Sequence, residues 1–389
     1  MAQLNSLIVN GGANFNGSVQ GIGVISLVVA SSPGFYKRNE LPTPAKTTIT
    51  VHPTWVNIGS KGYISDSDTA IDLSSASSWD STTTDYTTAA NRGGKDFYIY
   101  ACQPTGALNT SPVFKLSANS TVPTGYTATT SRKIGGFHCL CADVGTISGH
   151  TLSGYVKGDI LPLSVWDLLH RPVSDPEGMV WVAPINKWVD IYLPSYNNNK
   201  CSSIFGGTII DGASTVKVNG SYSAELAGLA NKQLISYDEF TVIAKGSNEE
   251  TNIRGSTEPG TTGGHVDTAG RRMISNYGLE DCCGALWQWS STVFEYTTGA
   301  TWNTSNYNYN GYSWNTQSIN NNGASSKSYT SDGLFGSCFG VLRRALVGGY
   351  WDGGVDCGSR CLDCSVLSSG SWSVNSFRCC SFSVVGLGH

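Results

Sequence analysis

The stretch "GGYWDGGVDCGSRCLDCSVLSSGSWSVNSFRCC" runs from Gly348 to Cys380. Trp351, the Gly358-Ser359-Arg360 run and Phe377-Arg378 stand out in it as landmarks. The gaps between them hold Tyr, Asp, Gly, Val, Ser and Asn. Neither a helical period nor strand alternation organises these residues. Unrelated chemistry in the gaps of a fixed frame demands a fold that holds long irregular loops.

The composition of the whole chain agrees. Charged residues are 13% of the 389, about half the ~25% of ordinary soluble proteins. Gly (46), Tyr (18) and Trp (11) are plentiful, and the 40% apolar fraction supports a core. Few charges, many turn residues and many aromatics imply β-rich structure with long loops. The net charge of −4, with no basic stripe, argues against a nucleic-acid partner. The N-terminus "MAQLNSLIVNGGANFNG" lacks a basic region, a long apolar core and a cleavage site, so it does not read as a signal peptide. No apolar run approaches the length of a membrane span, and no membrane insertion is expected. "ISLVVA" (Ile25 to Ala30) reads as a buried strand.

Twelve cysteines are present. Without a secretory context they read as buried thiols rather than a disulfide framework. Cys361-Leu-Asp-Cys364 has metal-ligand spacing, but its potential partners Cys379 and Cys380 are adjacent rather than spaced by two. No metal site and no cofactor are expected.

Along the chain, Pro42 and Pro44 fit a linker or a domain edge. Short alternating segments follow: "TITV", "KGYISD", "KDFYIYAC", "SPVFKLSA" and "RKIGGFHCLC". Ser/Thr/Asn/Gly runs separate them, which is the spacing of a β-sandwich or small barrel. Near residue 160 the texture changes. Ala224, Leu226, Leu229 and Ala230 repeat at near-helical spacing, and Asp238, Glu239 and Phe240 open a second helix after a Ser236 N-cap. Thr301 to Gly323 is an Asn/Tyr/Ser segment that reads equally as a polar loop or as a contact loop. Trp287 and Trp289 share one side of a strand and read as core, as does Trp351. Arg360 and Arg378 lie among apolar neighbours and need buried partners; Glu239 is the candidate for one of them.

Several segments resemble a known family. "LISYDEFTVIA", "GLEDCCGALWQWSS" and "LVGGYWDGG…SRC…FRC" are similar to elements of the formylglycine-generating-enzyme-like branch of the C-type lectin fold. "VPTGYTATTSRKIGGFH", "LSVWDLLHRP", "DPEGM" and "VDIYL" resemble the retroelement-diversified receptor-binding tail proteins of phages. The resemblance covers about residues 85 to 385, with the motifs in the same order. It implies an α+β, β-rich chain in three parts. These are an N-terminal β domain (1–45) and a β-sandwich (46–165), forming a trimeric base, then a C-type lectin fold domain (166–389) with a variable region at about 345–380.

In that family a reverse transcriptase rewrites adenines in one stretch of codons, so Asn codons become many others while the frame stays fixed. Matched residue by residue, the diversified, ligand-binding positions are Tyr350, Asp352, Gly354, Asp356, Asp363, Ser365, Val366, Gly370, Trp372, Val374 and Asn375. Gly353 and Val355 are candidates to join them. Adenine changes alone cannot turn an Asn codon into the Trp codon of Trp372. It is therefore either a fixed contact or the product of another template codon. An aromatic and several short polar residues on a rigid frame suit a binding surface.

The resemblance implies a receptor-binding protein at the phage tail tip, assembled in the host cytoplasm. Its partners would be a host cell-surface protein or glycan, two further copies of itself and the tail fibre. The rival readings are a formylglycine-generating-enzyme-like oxidoreductase and a non-diversified cell-surface lectin. The two thiols of the enzyme align with Trp351 and Asp356, which cannot bind copper as thiolates do. No catalytic His cluster, Walker loop or HExxH appears. The "EPN" and "WND" sequences of calcium lectins are absent as well.

Overall fold

The computed structural model describes residues 36–38, 42–106, 111–197, 200–214, 216–295 and 342–384. Most of the expected N-terminal domain, Ile25 to Ala30, the Thr301 to Gly323 segment and Cys338 lie outside the described residues.

The first half is built of short strands. They are β1 (Tyr36–Arg38), β2 (Thr43–Pro44), β3 (Thr48–Val51), β4 (Thr54–Ile58), β5 (Lys61–Ser65) and β6 (Thr69–Asp72). After the single-turn helix α1 (Ala89–Arg92) come β7 (Asp96–Cys102), β8 (Val113–Ser117), β9 (Ser131–His138) and β10 (Trp166–Asp167). They form three sheets, in the orders β1-β4-β5, β2-β3-β6 and β10-β9-β7-β8. Pro44, read as part of a linker or a domain edge, sits in the edge strand β2 opposite Ile49. An edge is where a strand tolerates a residue with no N–H to donate.

The period-2 rule decides what β7 does. Phe97, Ile99 and Ala101 face the core shared with Ile49, Val56, Ile71 and Leu116. Tyr98, Tyr100 and Cys102 face the other way, onto Trp166, Met179 and Trp188. One strand thus serves two cores.

The second half contains β11 (Met179–Val182), β12 (Lys187–Asp190), β13 (Ser195–Asn197), β14 (Lys200–Ser202), α2 (Gly220–Leu229), β15 (Gln233–Leu234) and α3 (Tyr237–Ile243). Then follow β16 (Trp287–Glu295), β17 (Leu342–Val347), β18 (Leu362–Asp363), β19 (Asn375–Phe377) and β20 (Cys379–Phe382). Two four-stranded sheets result, β11-β12-β20-β15 and β18-β17-β16-β19, with β13-β14 as a separate hairpin. The last strand, β20, pairs with β12 near the start of this half, which closes the unit on itself.

Both helices carry a side-chain cap, and α3 starts after Ser236 as the sequence predicts. Asn219 caps α2 by accepting from the Ser221 and Tyr222 amides. Ser236 and Glu239 form a reciprocal capping box on α3. In α2, Leu226 and Ala227 are buried, but Leu229 is 52% exposed. The apolar repeat read there therefore covers more of the helix than its buried face.

The two halves interlock. Trp166 and Asp167 pair with Gly136 and Gly135 of β9, so the sheet of the first half runs just past residue 165. Leu140, Cys141, Val144, Leu152 and Leu161 pack into the core of the second half, with Val180, Ile191 and Phe240. His138 reaches across to the Tyr192 hydroxyl at 2.9 Å while holding Asp96 at 3.0 Å through its other nitrogen.

Candidate binding face

The face begins where β17 ends. Gly348 and Gly349 follow it with φ of +90° and +81°, a region L side chains rarely occupy. A Cβ on Gly348 would lie 2.4 Å from the Cys282 carbonyl oxygen, and one on Gly349 2.6 Å from the Cys357 sulfur. These glycines let the chain turn sharply against the body and run outward as Tyr350 to Trp372.

Side chains and backbone amides from other segments then hold the backbone of that run. The Asn252 amide donates to the Trp351 carbonyl. The Glu249 carboxylate accepts from the Ser359 amide at 3.0 Å, and the Glu250 amide donates to the Cys357 carbonyl at 2.8 Å. The Tyr237 hydroxyl donates to the Arg360 carbonyl at 3.2 Å. Further along, β18 pairs with Leu346 and Val347 of β17, and the Gly220 amide at the start of α2 donates to the Ser368 carbonyl at 2.9 Å. Gly212 donates to the Trp372 and Asn375 carbonyls at 3.0 and 3.1 Å. All these contacts engage backbone atoms of the run, so they impose no demand on the side chains there.

The candidate side chains fall into distinct environments. Asp352, Asp356, Ser365 and Trp372 are exposed, and Val355 is 76% exposed at the tip of a short 3-10 turn, Gly354–Asp356. Asp352 and Asp356 make no side-chain hydrogen bond or ion pair among the described residues. Tyr350 is half-buried, its ring stacked on Trp287 at 6.3 Å and set edge-on to Trp351 at 5.7 Å. Asp363 accepts from the Ser365 amide at 2.6 Å, closing a local turn. Val366 packs on the core beside Trp289, and the Val374 carbonyl accepts from the Trp287 amide at 2.8 Å. Gly370 is a seat: a Cβ there would lie 1.6 Å from the Trp372 indole.

Asn375 departs from the expected outward position. It is 1% exposed because β19 lies parallel to β16, with Asn375 opposite Trp287. The face is also acidic. Burial pushes the Cys361 thiol up to about 12, and Cys357 and the carboxylates of Asp356, Asp363 and Glu249 push it the same way.

The residues matched by the second-domain model of the major tropism determinant (Mtd) family are 42–167. The chain is 30% identical over 293 residues to a tail fiber receptor-binding protein of Bordetella phage BPP-1, across 70% of this chain and 67% of that protein. It also superposes on solved structures of Major Tropism Determinant variants. The I1 variant matches with a TM-score of 0.64 at 26% identity, over 91% of this chain and 85% of the other. The M1 variant matches with the same TM-score over 93% of this chain. The chain belongs to the major tropism determinant family. Its fold is accordingly β-rich with a C-type lectin-like part, and its relatives are receptor-binding tail proteins rather than enzymes. Neither the oxidoreductase reading nor the undiversified-lectin reading gains support from them.

Of the two arginines expected to need buried partners in this tropism-determinant frame, Arg378 is buried and Arg360 is exposed. Arg378 does not use Glu239. Its guanidinium donates to the carbonyls of Asp190 (2.7 Å), Ile191 (2.8 Å) and Glu280 (2.6 Å) and to the Gln288 side-chain oxygen (3.0 Å). Glu239 is committed to its helix cap and to Lys187, 2.5 Å away. Trp289 is fully buried, whereas Trp287 shares its side of the strand but also reaches the Tyr350 ring. Trp351 is only half-buried, against the cluster around Leu286 and Met273.

Sequence reasoning missed Asn252, Glu249, Gly212 and Tyr237 as holders of the face. Nothing in their local pattern distinguishes them, since each acts on a backbone atom far away in the chain. Nine of the eleven described cysteines are buried free thiols, and Cys361 and Cys364 are half-buried.

Proposed function

We infer that this chain is a receptor-binding, tropism-determining protein that presents the outer side chains of Tyr350 to Val374 to a receptor on the host cell surface. The observation that carries this reading is the division of labour in the run. Its backbone is held by Asn252, Glu249, Tyr237 and Gly212, while the exposed Asp352, Val355 and Asp356 make no side-chain hydrogen bond or ion pair among the described residues. Such a surface can change chemistry without unfolding, which is what retroelement diversification of these codons requires. The diversified set is the one read from the sequence, with Asn375 lying beneath the face rather than on it.

The BPP-1 relative is a tail fibre protein by name, which supports a place in the virion at the tail tip. This chain assembles in the host cytoplasm as a homotrimer. The N-terminal and sandwich parts serve as its base and the lectin part as its display. Three copies turn weak single sites into firm attachment through avidity. The ligand is a protein or glycan of the host surface.

Fluorescently labelled full-length protein, incubated with a panel of bacterial strains, should bind a subset of them. Asp352→Ala and Trp372→Ala should lose that binding while melting within about 2 °C of the parent, as exposed changes do. Binding that survives both substitutions places the receptor site elsewhere. Light scattering that gives one times rather than three times 41.3 kDa removes the trimer.

A further inference from the structure

Two buried thiols meet beneath the face. Cys201 lies in β14 and Cys379 opens β20, 178 residues later. Their sulfurs are 3.8 Å apart, and the residues are 4% and 0% exposed. No other two described thiols hydrogen-bond one another. Both belong to the cluster that packs α2 and Trp289 together. Beside them the Lys232 ammonium is buried in an ion pair with Asp190 at 2.6 Å.

We propose that Cys201 and Cys379 form a peroxide-reactive modification site that closes to an intramolecular disulfide. A disulfide needs its sulfurs at about 2.05 Å, so closure asks the two sulfurs, now 3.8 Å apart, to approach by less than about two ångströms. The chemistry also favours Cys201 as the attacking sulfur. The hydrogen bond between the two sulfurs, helped by the positive charge of Lys232, holds the Cys201 thiol below its ordinary range despite burial. Burial keeps the proton on Cys379.

In the reaction, the Cys201 thiolate attacks one oxygen of hydrogen peroxide. The O–O bond breaks, hydroxide leaves, and Cys201 becomes a sulfenic acid. Cys379 gives up its proton and attacks that sulfur; the S–O bond breaks and water departs. Two thiols lose two electrons in all, and one peroxide becomes two waters. Peroxide is the reagent class because a bulky disulfide oxidant cannot reach sulfurs this deeply buried.

The placement gives the bond a purpose. Cys379 directly follows Phe377-Arg378, where the variable run re-enters the body, and Cys201 sits on a separate hairpin. Closure would tie the end of the run to that hairpin and stiffen the frame, whatever the face binds.

The test uses the intact folded protein. It is treated with hydrogen peroxide, alkylated in denaturant and mapped by mass spectrometry without reduction. The expected result is a Cys201–Cys379 cross-linked peptide and the loss of two titratable thiols. The melting temperature should rise by roughly 5 °C, because the bond closes a long loop, and dithiothreitol should reverse the rise. Cys201→Ala and Cys379→Ala, treated identically, should show neither the peptide nor the rise. The proposal is overturned if wild-type Cys201 and Cys379 remain fully alkylated after excess peroxide. It is equally overturned if either becomes a sulfinic acid without the cross-link. Because the decisive readout is peptide mapping of the wild type, it stands even if a variant fails to fold.

Discussion

From Asn375 to Ser381 every side chain is buried, whereas from Tyr350 to Trp372 only Cys357 and Gly358 are. The two segments lie close together in the chain and share Ser, Cys, Arg and an occasional aromatic. Their difference lies in what meets the backbone. The inner segment is strand, paired with β16, β12 and β15, and its side chains fill cores on both sides. The outer segment is mostly a run of turns whose backbone is hydrogen-bonded by residues from elsewhere, leaving side chains such as Asp352, Val355, Asp356 and Trp372 outward. Tolerance to substitution therefore follows the backbone's partners more closely than the residue type.

The sharpest way to break that contrast is at Arg378. Its guanidinium is wholly buried and satisfies four oxygens from three segments. Arg378→Met should leave those acceptors unpaired in the interior and cost ~3–5 kcal/mol, the usual loss when a buried charged partner is removed. Urea titration of the folded protein measures this. A variant that unfolds at the parent's midpoint would show that the inner segment is not the frame.

Next in size is the hinge between the segments' shared support and the outer run. Gly348→Ala places a Cβ at φ +90° against the Cys282 carbonyl and should cost ~2 kcal/mol, within the usual range for such backbone strain. The same urea titration reads it, and a neutral result would mean that the turn relaxes freely.

These two sites also show what sequence can and cannot disclose. The Ser236 to Glu239 capping box, the strands from Thr48 to His138 and the shared side of Trp287 and Trp289 are local patterns, and each appears as read. The partners of Arg378 were invisible because they are carbonyls, which every residue possesses. Glu239 looked like the natural counterion, but it is committed to a helix cap and to Lys187. Asn375 looked like part of the outer run because nothing in "SWSVNSF" marks where β19 begins. Its burial comes from parallel pairing with a strand almost ninety residues earlier, opposite Trp287. A neighbour that distant leaves no trace in a local window.

A third, smaller effect belongs to the holders of the run. Asn252 donates to the carbonyls of Trp351 and Ile253 and to the Ser256 hydroxyl. Asn252→Ala should cost ~1–2 kcal/mol for the lost bonds. Its more telling signature is local: amide exchange should quicken at residues 350–357 and stay slow at 375–381. Uniform acceleration across both segments would mean that they unfold as one unit and that the contrast between them is only one of exposure.

The smallest effect should come from the outer carboxylates. Asp352 and Asp356 are exposed and have no hydrogen-bonding or ion-pair partner among the described residues. Exposed changes of this kind usually stay within ~0.5 kcal/mol. Asp356, Asp363 and Glu249 all act on the Cys361 thiol, so these carboxylates crowd one region and repel one another. Removing one negative charge relieves that repulsion, so Asp356→Ala should melt at the parent's temperature or slightly above it. Any gain should shrink as added salt screens the remaining charges. Thermal melts at low and high ionic strength make the measurement. A clear loss of stability at either salt would mean that Asp356 bears structural load, and the boundary between frame and face would have to move outward to include it.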